Sequence, residues 1–108
     1  MLLEVRAASR KTPKDGRFEI AEQTARRLSA LGEEFPIELD ATADVARVER
    51  MACSCNKAAL AGTHDHLFLV SPVLRQAEPE RIYAVELEET GVVRLTGAHG
   101  GLQEREND

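Results

Sequence analysis

Two short runs carry the residue types best suited to chemistry, Cys53-Ser54-Cys55 and His64-Asp65-His66. Two thiolates and two imidazoles form a closed tetrahedral set that zinc prefers, with bonds of about 2.3 Å to sulfur and about 2.0 Å to nitrogen. Chain order suggests how the runs would meet. If the segments flanking residues 56–63 pair as an antiparallel hairpin in which opposed positions sum to 119, Cys55 faces His64 and Cys53 faces His66. Opposed residues project from one face, as do residues two apart along a strand. Cys53, Cys55, His64 and His66 then converge, while Ser54 and Asp65 point the other way. A slip of one residue would turn one pair to the opposite face. The spacing is not that of a zinc finger, which separates its cysteines by about two to four residues and its histidines by about three to five, so the metal site is expected from geometry alone.

The same side chains suit other chemistry. An imidazolium beside a thiol raises the thiolate fraction, so Cys53 or Cys55 next to His64 or His66 would serve a thiol-dependent or redox enzyme. A disulfide between Cys53 and Cys55 is disfavoured, because one intervening residue does not bring the two side chains together. Reduced thiols fit a reducing, cytoplasmic compartment. The plainest reading makes both cysteines small apolar groups beside Met51 and both histidines strand-end residues with ordinary hydrogen bonds.

Charge is spread unevenly around the formal net of −5. Residues 1–32 hold seven Lys and Arg against four Asp and Glu, whereas the remainder holds seven against fifteen. One stretch is concentrated enough to meet a phosphate backbone, Arg10 to Arg17, in which Arg10, Lys11, Lys14 and Arg17 would be the contacts of a small nucleic-acid-binding barrel. Its Pro13 and Asp15-Gly16 also mark it as an exposed turn. One Tyr, three Phe and no Trp leave little for a base-stacking platform. Glu78, Glu80, Glu86, Glu88 and Glu89 form an acidic region that would attract a basic protein. No glycine-rich phosphate loop follows a strand pattern, and no apolar run approaches the roughly 20 residues of a membrane-spanning helix.

The elements that must position these groups follow from periodicity. Leu3, Val5 and Ala7 alternate with Glu4 and Arg6, as in a half-buried strand. Phe18-Glu19-Ile20 suits a short strand or a helix entry. Ala21, Ala25, Leu28 and Leu31 recur at helical spacing, with Gly32 placed as a C-cap, which predicts the main helix over 21–31. Phe35, Ile37, Leu39 and Ala41 form a strand that Pro36 pushes towards an edge or a first-residue position. Val45 to Cys55 is extended, but its alternation slips, and a bulge near Glu49 or Arg50 would reconcile the halves. His64 to Ser71 is apolar on both faces, as in a covered central strand. Ser71-Pro72 opens a short helical turn over 72–77. Tyr83 to Leu87 and Val92 to Thr96 make a hairpin.

With 108 residues the length allows one domain. The expected fold is α+β: a small, mainly antiparallel sheet or partly open β-barrel over residues 1–96, with the main helix, the short helical turn and a mobile tail over 97–108. The function favoured is a non-enzymatic cytoplasmic binding or regulatory domain with a protein partner, the zinc set being one way to stabilise it. The thiol enzyme and the nucleic-acid-contacting barrel stand as alternatives.

Overall fold

The computed structural model describes residues 1–52 and 65–98. In chain order these form β1 (Leu2–Ala7), α1 (Lys11–Asp15), β2 (Arg17–Ile20), α2 (Glu22–Ser29), β3 (Phe35–Leu39), β4 (Thr42–Ala52), β5 (Asp65–Val70), a 3-10 turn (Pro72–Gln76), β6 (Ile82–Leu87) and β7 (Val93–Ala98). The strands make one seven-stranded sheet in the order β1-β6-β7-β3-β4-β5-β2. All neighbours are antiparallel except β3 and β7, which are parallel.

Strand β4 is the pivot of this sheet. Its first half, Thr42 to Ala46, pairs with β3, and its second half, Arg47 to Ala52, pairs with β5. The sheet curls about this long strand until its two edges approach. Phe18 of β2 meets Tyr83 of β6 edge to face at 6.2 Å, and Glu4 of β1 accepts a 2.8 Å hydrogen bond from the Ala21 amide just after β2. The result is the partly open α+β barrel that the sequence predicts. Its centre is mainly aliphatic: Phe18, Leu28, Ile37, Leu69, Leu74, Tyr83, Val85 and Leu95 are almost wholly inaccessible, each such burial contributing about 1.5–3 kcal/mol before entropic costs.

Local chemistry explains the helices. In α2, Ala25 and Leu28 face the core, and Glu22 and Arg26 pair one turn apart at 3.0 Å. The helix is shorter than the expected 21–31; at its end Leu31 and Gly32 donate to the carbonyls of Leu28 and Ser29 in tighter three-residue turns. Ser71 accepts from the Val73 amide and Pro72 begins the 3-10 turn, as the sequence indicates.

Four expectations need correction. The basic stretch is not a simple turn, because residues 11–15 form α1. Lys11 N–H donates to Ser9 Oγ and Ser9 N–H to Thr12 Oγ1, a reciprocal cap, and Gly16 closes the helix in the left-handed region at φ 70°. In β1 the core side is occupied by Glu4 and Arg6, opposite Val85 and Tyr83, while Val5 and Ala7 are exposed; an irregularity between Leu2 and Glu4 sets this parity. Strand β3 is interior rather than an edge. Pro36 is tolerated there because β7 pairs only with Ile37 to Leu39, so its missing N–H costs no ladder bond on that side. Finally, β4 carries no bulge at Glu49 or Arg50: its register with β5 is unbroken, and Met51 simply lies on the opposite face from Ala46 and Val48.

The β6–β7 hairpin matches the sequence reading, and β7 continues through Gly97 and Ala98, opposite Tyr83 and Ile82. The rest of the expected tail, residues 99–108, lies outside the described residues, as does the connection over 53–64.

Candidate functional site

The barrel fails to close between β1 and β2, the two edges of the sheet. Along that seam runs a groove of about 600 Å³, lined from one side by Arg6, Ala7, Ser9 and Lys11 and from the other by Arg17, Glu19, Met51, Ala52, His66 and Phe68. This volume is in the range of small-ligand sites.

Strand parity places the floor. On β5, Leu67 and Leu69 point into the core, so His66 and Phe68 point outward. In the same register Glu19 and Glu49 flank Phe68, and Met51 lies beside His66. The Arg17 guanidinium lies over the Phe68 ring, 5.1 Å from its centroid, and is held from the side by Asp15 at 3.0 Å and by Met51 Sδ. His66 Nδ1 lies 2.7 Å from Glu19 Oε2. Arg17 is therefore a fixed cationic plane, only 23% exposed, and not a loose surface side chain.

The rim is electrostatic. Arg6 pairs with Glu4 at 2.7 Å, and Glu4 binds the far edge of the seam through Ala21. Burial would raise the Glu4 pKa, but hydrogen bonds from Thr24, the Ala21 amide and Arg6, together with the Arg6 charge, outweigh it and hold the carboxyl below its ordinary value. Arg10, Lys11 and Lys14 are exposed on and beside α1. Among the described residues no acidic side chain pairs with any of these three. The helix that carries them is fastened to the 3-10 turn: Ser71 N–H donates to Gly16 C=O at 3.1 Å, and Arg75 reaches the Lys14 carbonyl at 3.3 Å.

Of the four expected metal ligands, His66 lies on the groove floor, whereas Cys53, Cys55 and His64 lie outside the described residues. The expected antiparallel pairing around them is present, but opposed positions sum to 117 rather than 119, so His66 faces Met51 and Asp65 faces Ala52. Among the described residues no three His, Cys, Asp or Glu side chains gather as a metal site. Of the basic residues singled out in the sequence, Lys11 and Arg17 line the groove, and Arg10 and Lys14 stand on the same helix as Lys11 or next to it. Sequence reasoning missed Arg6, Glu19 and Phe68. The alternation of Arg17-Phe18-Glu19-Ile20 was the available signal for Glu19.

The class defined by these features is a small open barrel of mixed sheet with a basic groove at its seam. No family model, curated protein or solved structure matches the chain. No described helix is long and apolar enough to cross a membrane.

Proposed function

We propose that the chain is a binding domain whose partner is anionic and lies in the seam groove. The observation that carries this reading is Lys11 in the groove lining with a fixed Arg17, and Arg10 and Lys14 on the same short segment as Lys11, three cations that have no acidic partner among the described residues. Most other basic side chains among the described residues are matched to acids, as in Arg47–Glu49, Arg50–Asp65 and Arg94 with Glu38 and Glu88, while Arg27 and Arg75 contact Met1 Sδ and the Lys14 carbonyl instead. A cation left unmatched beside a concave surface raises the local concentration of an anion even when the whole molecule is acidic.

The test is retention on immobilised heparin, a polyanion that a protein of net charge −5 should otherwise avoid. Retention that is lost in Lys11→Gln/Lys14→Gln and kept in Arg26→Gln/Arg27→Gln supports the groove. Equal behaviour of the two double variants contradicts it.

A zinc ion held by Cys53, Cys55, His64 and His66 is a second reading, supported on the side of His66, the one expected ligand among the described residues. A carboxylate at His66 Nδ1, here Glu19, is the arrangement that orients ligating imidazoles. Elemental analysis of protein purified without a metal-affinity tag should find one zinc per chain, removed by chelation with loss of thermal stability. Metal-free, fully folded protein would dismiss this reading and leave the groove untouched.

A further inference from the structure

We infer that the anionic partner of the seam groove is a single-stranded nucleic acid, with phosphates at α1 and an unpaired base against the Arg17–Phe68 stack. This rests on the groove being the binding site. Two independent features of the groove select this ligand among anions.

The first is the grouping of Arg10, Lys11 and Lys14. A single carboxylate or phosphate needs one or two donors, whereas three cations along one short segment suit a ligand with repeated charges. The second is the floor. Bases that are not paired stack on aromatic rings and on guanidinium planes alike, and here the Arg17 guanidinium already stands over the Phe68 ring, its Cζ 5.1 Å from the centroid. The plane is held in place before any ligand arrives, because Asp15 and Met51 fix Arg17 and β5 fixes Phe68 between β2 and β4. His66 continues the floor, its ring centroid 6.4 Å from that of Phe68. Sequence reasoning counted too few aromatics for a stacking surface; an arginine laid on one of them supplies the second plane.

A duplex keeps its bases stacked inside and offers the groove only its backbone, so it would use the cations and not the floor. An acidic peptide would likewise engage the cations without requiring a flat stacking surface. The unpaired strand is the one ligand of the three that uses both. Glu19 and Glu49 flank Phe68 on the floor and Asp15 pairs with Arg17, so the positive charge left for phosphates is that of Arg10, Lys11 and Lys14.

Fluorescence anisotropy with labelled mixed-sequence 15-nucleotide RNA and DNA single strands, the corresponding duplex, and a polyglutamate peptide separates these cases. The single strands should bind more tightly than duplex or peptide. With three phosphate contacts, affinity should fall roughly twentyfold between about 50 and 200 mM salt. Phe68→Leu should weaken single-strand binding about fivefold or more and heparin retention by much less, and Lys11→Gln/Lys14→Gln should weaken both. Circular dichroism melting confirms that each variant is folded. If duplex or peptide binds as well as single strands, or Phe68→Leu binds single strands like the parent, the nucleic-acid inference is overturned while the anionic groove survives. If heparin is also ignored, both fall together.

Discussion

Gly16 and Ser71 are locked together backbone to backbone. Ser71 N–H donates to Gly16 C=O at 3.1 Å, and a Cβ added at Gly16 would stand 3.0 Å from Ser71 O. Gly16 also sits at φ 70°, where a side chain costs about 1–2 kcal/mol. This contact joins α1, and with it the unmatched cations, to the body of the barrel.

Gly16→Ala should therefore do two things. It should destabilise the fold by about 1–2 kcal/mol, read as a melting point lower by roughly 5–10 °C. It should also weaken heparin retention, because α1 loses its seat. Denaturant titration and chromatography on the same preparation check both.

Three other positions hold side chains at positive φ. Asp40 and Ala41, both at positive φ, make the two-residue turn between Leu39 and Thr42, a geometry for which Asp-Gly is a favoured pair. Glu80, at φ 70°, follows Pro79 in the turn closed by Arg81 N–H to Glu78 C=O, the position of a type II turn that favours glycine. Ala41→Gly and Glu80→Gly should each stabilise by about 0.5–1 kcal/mol, seen as a higher melting temperature. Asp40 should not be replaced with them, since its carboxylate accepts from Gly97 N–H.

The seam predicts a pH dependence. The Glu4 carboxyl is held below its ordinary value, so its ionised form is favoured by folding. The stability it contributes is complete above the unfolded value of about 4.3 and is lost as pH falls through the lower folded value. Glu4→Gln should cost about 1 kcal/mol at neutral pH, and the gap between variant and parent should shrink below about pH 4. A gap that stays constant down to pH 3 would mean that the carboxylate charge does not hold the seam.

Much of the architecture was legible because its signals are local. The spacing of Ala25 and Leu28, the alternation through Tyr83, Val85 and Leu87, and Ser71-Pro72 each specify their element without help from distant residues. The failures lie where distant partners decide. Pro13 and Gly16 mark a turn in isolation, yet Pro13 is tolerated in the first turn of a helix and Gly16 ends one, and the cap by Ser9 and Thr12 tips the balance. The inward Glu4 could not be read from alternation, because its reason is the Ala21 amide, 17 residues away. The groove was invisible for the same cause: it exists because β1 and β2, close in sequence, become opposite edges of the sheet.

The most direct measurement is a 15N-labelled NMR titration with a heparin hexasaccharide as a generic polyanion. Amide shifts should concentrate at Arg6, Lys11, Arg17, His66 and Phe68, saturate together and be reversed by salt. Shifts centred on Arg26 and Arg27 of α2, or none at all, would contradict the assignment of the seam groove as the binding site.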